Sequence, residues 1–170
     1  MTVAPPPSPL AEIGLRYGVP ADLDRLAAMH ARCSEQARHR RFHTPLPVVP
    51  ERLAARILEP ADGWSVVVEH GPDLVAVATT GPVSTTDLEV GVLVEDAHQG
   101  RGIGTLLLRE VAGEAAWRGY RTLLCLTQPD NEAVLRSIAK AGLPSRASSY
   151  DGVMSVVMDL SPGAGLARPA

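Results

Sequence analysis

The segment Gln99-Gly-Arg-Gly-Ile-Gly104 constrains this chain more than any other. It comes four residues after the β-branched run Leu88–Val94 and leads into Gly102–Arg118, where Ile103, Leu106, Leu107, Val111 and Ala115 recur at helical spacing. A strand, a short turn, a glycine-rich loop and a helix are expected in that order. Glycines at alternate positions let a ligand approach the backbone closely. Their N–H groups, together with the unpaired N–H groups and positive dipole end of the helix, form an anion site. Its natural guest is a phosphate or pyrophosphate.

Two common phosphate loops do not fit. A Walker loop ends in Gly-Lys-Ser/Thr, and no such lysine is present. A dinucleotide fold wants GxGxxG with an acidic residue at the end of the next strand. Here the spacing is GxGxG, and the next strand, Arg121–Thr127, runs into Gln128-Pro129.

The rest of the chain frames this unit. Pro5–Pro7 and Pro9 favour extended chain, so residues 1–10 read as a disordered leader. Ile13, Leu15 and Tyr17 alternate as in a half-buried strand, and Pro20 stops it. Asp22 is placed to cap a helix whose apolar face is Leu23, Leu26, Ala27, His30 and Cys33. A second helix is expected over Ser34–Arg41, a three-proline loop over Thr44–Pro50, and a third helix over Glu51–Leu58. Trp64–Glu69 and Leu74–Thr80 read as a hairpin across His70-Gly71-Pro72-Asp73. A helix over Asp130–Ala141, ending at Gly142, and a strand over Val153–Leu160 close the domain. One domain over residues 11–160 follows, with a disordered tail over 161–170. The order of elements implies an α/β (α+β) fold, a mixed sheet with helices on both faces.

Composition sets the outer bounds. Hydrophobic residues make 45% of the 170, enough for one globular core. The formal net charge of −3 gives no basic footprint, so no nucleic-acid partner is expected. No apolar run approaches a membrane span, so no membrane partner is expected either. Cys33 and Cys125 lie far apart, in neither a CxxC pair nor a zinc spacing. They read as two reduced thiols of a cytoplasmic protein, with no metal implied.

Gln99-Gly-Arg-Gly-Ile-Gly104 resembles the Gln/Arg-x-x-Gly-x-Gly/Ala signature of the GNAT acetyltransferases. The resemblance extends to Leu88–Val94 before it, to Arg121–Thr127 after it, and to Asn131, Ala133, Val134 and Lys140-Ala-Gly142-Leu in the last helix. It covers about Trp64 to Leu160 and implies a mixed, mostly antiparallel sheet. More weakly, Ser34-Glu-Gln-Ala-Arg-His-Arg-Arg41-Phe42 is similar to the Ser-x-x-Ser-x-x-x-Arg-Phe stretch of bacterial Pat-type protein lysine acetyltransferases, with Ala37 at the second serine.

The resemblance implies acetyl transfer from acetyl-CoA to a primary amine, here a protein lysine. A small-molecule amine is the alternative acceptor, and a catalytically silent acyl-CoA-binding module is the alternative class. By position, Gln99, Gly100, Arg101, Gly102, Ile103, Gly104 and Thr105 hold the pyrophosphate. Val92, Leu93 and Val94 lie beside the pantetheine and thioester, and Asn131 belongs to the same site. A homodimer is left open.

An amine with a pKa near 10 must lose a proton before it attacks. Glu89 is the candidate base, on the same strand face as Gly91 and Leu93. Against it stands the reading of a surface carboxylate at a strand start. Asp87 and Glu95 are the competitors, both nearer turns. The helical tyrosine that protonates the departing thiolate in many relatives falls at Ile138, seven residues after Asn131. Tyr150 lies beyond that helix, and the acid is left unassigned.

Four other features read more simply. His30 is expected to be a satisfied core histidine and His98 a solvated one. His39 and His43 flank Arg40-Arg41-Phe42 as candidates for substrate contact. The six arginines of Arg32–Arg56 read as a solvated face, or as a surface for acidic protein or phosphate.

Overall fold

The computed structural model describes residues 12–161. The expected leader, and the expected tail beyond Ser161, lie outside the described residues. The elements are β1 (Ile13–Tyr17), α1 (Leu23–Arg32), α2 (Glu35–Phe42), α3 (Glu51–Leu58), β2 (Ser65–His70), β3 (Asp73–Pro82) and β4 (Asp87–Val94), then α4 (Ile103–Trp117), β5 (Thr122–Thr127), α5 (Glu132–Ala141), β6 (Ser145–Tyr150) and β7 (Val153–Asp159). One seven-stranded sheet runs β1-β2-β3-β4-β5-β7-β6. Every pairing is antiparallel except β4 with β5. The sheet is mixed and mostly antiparallel, as expected.

Strand alternation divides the core into two layers. Val66 and Val68 of β2 and Leu88 and Val90 of β4 pack with Ile103, Leu107 and Val111 of α4 and Ile138 of α5. Val67 of β2, Val77 of β3 and Leu93 of β4 point the other way, onto Leu26 and Met29 of α1 and Ala54 and Ile57 of α3. Helices therefore cover both faces. Leu106 sits half-buried at the margin of the α4 stripe. On α1, Ala27 is exposed and Met29 is fully buried, a rotation of the expected face by about one residue. Among the described residues, no helix is long and apolar enough to cross a membrane.

Caps fix the helix ends near the site. The Ser34 hydroxyl accepts from the Ala37 N–H at 3.1 Å and starts α2. Asn131 caps α5 by accepting from the Val134 N–H, and Gly142 ends that helix in the left-handed region. Asp22 behaves differently from a simple cap. Its carboxylate takes both Arg16 guanidinium nitrogens at 2.7 Å and the Val19 N–H at 3.1 Å, and makes no cap bond into α1. Glu69 joins the cluster by bridging Arg16 and Arg25. The network holds α1 against the β1–β2 edge, where a helix cap alone would not reach.

Sequence periodicity missed β6. Its six residues, Ser145–Tyr150, are exposed throughout and carry no apolar alternation. The turn at Asp151-Gly152, with φ of 49° and 75°, folds the strand onto the outside of β7.

Candidate active site

β4 and β5 part company inside the sheet. Parallel pairing joins Asp87 to Thr122, Leu88 to Leu123 and Glu89 to Leu124, then stops. Beyond Glu89 the strands diverge, and β5 stays paired with β7 along its whole length. The polarity of β4 follows from three bonds. The Asp87 carbonyl accepts from the Val83 N–H, and the Glu95 N–H donates to Val75, so odd-numbered residues turn their peptide groups toward β3. The Val94 carbonyl instead accepts from the Gln99 side chain at 3.0 Å. By alternation, the Val92 N–H and C=O face the gap, where no strand among the described residues pairs with them.

The glycine loop closes one end of that gap. Gly100 and Gly102 have φ of 75° and 90°, a region L residues rarely adopt, and a Cβ at either would meet nothing within 4 Å. Gly102 is also the N-cap of α4 and offers no side-chain acceptor. The first N–H groups of a 15-residue helix are left open toward the loop. Gly104 does a different job: a Cβ there would come within 3.1 Å of the Ser137 hydroxyl, so this glycine lets α4 approach α5.

A cavity of about 250 Å³ runs along these elements. Val92, Leu93, Val94, Gln99, Gly100, Gly102, Ile103, Gly104, Thr105 and Asn131, the candidates named from the sequence, line it. Arg101 is exposed and outside the lining. Arg40, Arg136 and Lys140 add positive charge to the same walls. Asn131 also donates to the Thr127 hydroxyl at 3.0 Å, which ties the end of β5 to the start of α5.

A smaller cavity of about 80 Å³ continues into the gap between Glu89, Gly91 and Val92 on one side and Cys125, Leu126 and Thr127 on the other. A third, of about 410 Å³, opens from Glu89 toward Leu53, Arg56 and Ile57 of α3 and Pro82 and Val83. The three meet at Arg41, which lines all of them. Sequence reasoning placed Arg41 in a motif but not in the site. The signal was available on β4, because a glycine inside a strand marks a close approach. A Cβ at Gly91 would lie 2.6 Å from both terminal nitrogens of Arg41.

The carboxylates separate by their partners. Asp87 is bonded to Ser84, Thr86 and Thr122, and the Ser84 hydroxyl is the main cause holding its pKa below the usual range. Glu95 is buried and pairs with Arg32 at 3.1 Å. Asp96 receives the Ser34 N–H and hydroxyl and so anchors α2 to the loop. Glu89 is exposed, and among the described residues it has no such partner. It lies in the two cavities that meet at the gap.

Other expected roles change. His30 is 2% exposed, yet neither ring nitrogen has a hydrogen-bond partner among the described residues. Burial, then the charges of Arg41 and Arg38, press its pKa down to about 4. It is a neutral core histidine but not a satisfied one. His98 is half-buried at the cavity wall, 5.3 Å from the His70 ring, and desolvation lowers its pKa. His43 lines the smaller cavity. His39 lies outside all three cavities.

Arg38 is buried and donates to the carbonyls of His30, Cys33 and Leu46, stapling the end of α1 to the following loop. The arginine segment is therefore partly internal framework. Tyr150 is 88% exposed on the edge strand and lines none of the three cavities, and Ile138 is 2% exposed in the core.

Residues 24–143 match the model of the Acetyltransferase (GNAT) family. Among solved structures, the fold is similar to the GNAT domain of S. lividans PAT, at 26% identity and a TM-score of 0.77 over 85% of this chain and 89% of that one. It is also similar to yncA, an acetyltransferase candidate from Salmonella typhimurium whose structure holds its cofactor acetyl-CoA, at 21% identity and 0.67 over 92% and 98%. An N-acetyltransferase from Staphylococcus aureus Mu50 matches at 20% identity and 0.68 over 89% and 100%.

Proposed function

Because this chain belongs to the GNAT acetyltransferase family, we propose that it moves the acetyl group of acetyl-CoA onto a primary amine, and that the amine is a lysine side chain of a protein in the cytoplasm. Acetyl-CoA is the cosubstrate of the family and supplies an activated acyl carbon as a thioester. The observation that carries the reading is the gap between β4 and β5 beyond Glu89, with a free peptide edge at Val92 and the glycine loop at its end.

The residues present fit that cosubstrate. Open space over Gly100 and Gly102, the free first turn of α4, and Arg40, Arg136 and Lys140 suit a pyrophosphate with its charge. In this reading, Glu89 receives the proton that the acceptor ammonium must lose, directly or through water. The Val92 N–H faces the charge that develops on the acyl oxygen. The 80 Å³ cavity holds the acyl group between them and excludes most water.

The protein acceptor is supported by the likeness of Ser34–Phe42 to Pat-type enzymes and by the S. lividans PAT domain at 26% identity. A second reading, a small amine, is favoured by the 410 Å³ cavity with Glu89 on its wall, which lies within the usual range for small-ligand pockets. Incubation with labelled acetyl-CoA and a cell lysate, split into protein and small-molecule fractions, decides between them. Label in protein supports the proposal, and label confined to small molecules replaces it with the second reading. Binding of CoA with label in neither fraction points to a silent module.

A further inference from the structure

We infer that the Arg41 guanidinium stabilises the thiolate that departs when the acetyl group is transferred, taking the place of the hydroxyl acid that α5 lacks at Ile138. The inference rests on reading the cleft as an acetyl-CoA site.

Four observations converge on Arg41. It lines the 250 Å³ cavity along the glycine loop, the small cavity in the gap and the cavity toward α3, so it stands at their junction. Gly91 makes room for it, since any Cβ there would overlap the guanidinium, with Nη1 and Nη2 each 2.6 Å away. The cation is half-buried and, among the described residues, makes no ion pair; it rests on the Phe42 ring at 5.3 Å from the centroid. Ile138, where a tyrosine acid would stand, is sealed into the core.

A desolvated cation without a counter-charge is costly and is tolerated where an anion arrives. Burial pulls the Arg41 pKa down, while Cys125 and Glu89 pull it back up. Arg41 and Cys125 both line the small cavity in the gap, so the cation borders the space between the two strands. The developing charge on the acyl oxygen already has the Val92 N–H, whereas position 138 of α5 offers the thiolate no hydroxyl, and the Ser137 hydroxyl of that helix lines the cavity along the glycine loop but not the small cavity in the gap.

The transfer balances in atoms and charge. The acceptor ammonium gives one proton to Glu89 or water. The nitrogen lone pair forms the C–N bond to the acyl carbon, and the C–S bond breaks with its electron pair on sulfur. The amide nitrogen releases a second proton to solvent. The sulfur leaves as thiolate beside the Arg41 cation and takes a proton from water after it leaves.

The test titrates the thiol of CoA bound to the full chain, followed by thiolate absorbance in the ultraviolet. Burial holds Cys33 at about 12 and Cys125 at about 11, so both stay silent below about pH 10. The wild type should ionise bound CoA at least about one pH unit below an ordinary thiol's 8.5, a tenfold shift. Arg41→Gln should return the thiol to 8.5 or above, and Arg41→Lys should keep part of the shift. Gly91→Ala, which displaces the guanidinium without removing it, should mimic Arg41→Gln and serves if that variant fails to fold.

Equal thiol ionisation in wild type and Arg41→Gln, with CoA bound to both, overturns the inference and leaves the acetyltransferase reading standing. So does a variant that raises only the KM of the acceptor, which would make Arg41 an acceptor contact. If wild type binds no CoA in calorimetry, the functional reading falls first and this inference falls with it.

Discussion

Arg41 of α2 and Gly91 of β4 meet fifty residues apart in sequence, so closely that a Cβ at position 91 would lie 2.6 Å from both terminal nitrogens of the arginine. The contact sets a charged group over the strand that carries Glu89, on the same face. Gly91→Ala should therefore push the guanidinium aside while leaving the fold intact, because the clash is with the end of a flexible side chain. We expect a Tm near that of wild type and a fall in kcat of at least about tenfold. Combined with Arg41→Gln, Gly91→Ala should add little, as residues in contact are not additive. Full additivity in the double-mutant cycle would show the two residues to be unrelated in function.

Glu89→Gln keeps the shape of the side chain and removes its basic lone pair. General base catalysis contributes roughly 100- to 10,000-fold, and kcat at neutral pH should fall by that order. Acetyl-CoA affinity, measured by calorimetry, should change little. A fall below about threefold would return Glu89 to the role of a surface carboxylate. Asp87→Asn should instead act on stability, because Asp87 ties Ser84 and Thr122 across the start of the β4–β5 pairing.

The loop glycines should separate by mechanism. Gly102→Ala forces an L residue to a φ of 90°, at a cost of about 1–2 kcal/mol, and crowds the backbone that a phosphate must approach. CoA affinity should drop by about tenfold or more. Gly104→Val should lower thermal stability as well, since its Cβ meets Ser137 and wedges α4 from α5. Unchanged CoA affinity in a folded Gly102→Ala protein would remove the loop from the binding site.

His30 makes stability depend on pH in a definite direction. Its folded pKa of about 4 lies below the unfolded value of about 6.5, so between those values the unfolded chain binds a proton that the folded chain refuses. The contribution is fully present above pH 6.5 and is lost as pH falls toward 4, by on the order of 3 kcal/mol. Urea unfolding at pH 7.5 and 4.5 should show this loss, and His30→Leu should remove most of it. His30→Leu should also be at least as stable at pH 7.5, because it replaces two ring nitrogens that have no partner among the described residues. An equal pH dependence in both proteins would assign the effect to carboxylates.

The fold and the lining of the cavity at the glycine loop are largely legible in the amino-acid sequence. Glycine spacing, helical period and strand alternation are local signals, and they locate the loop at Gln99–Gly104, the α4 stripe and the face shared by Glu89, Gly91 and Leu93. Strand β6 is not legible, since an exposed edge strand such as Ser145–Tyr150 needs no apolar alternation. The acidic residues look alike in sequence and differ only through their partners: Asp87 through Ser84 and Thr122, Glu95 through Arg32, and Asp96 through Ser34.

By itself, the sequence determined that a strand, a left-handed glycine turn and a helix N-terminus would stand in line, because each depends on residues within a few positions of one another. Tertiary structure alone decided where β4 and β5 separate, after Glu89 and Leu124, and that Arg41 reaches Gly91 at the junction of three cavities. It also decided that His30 is buried with no hydrogen-bond partner among the described residues. These outcomes depend on how two core layers close on the sheet from opposite sides, and the groups that meet there are brought together by packing across long stretches of chain, which no local spacing encodes.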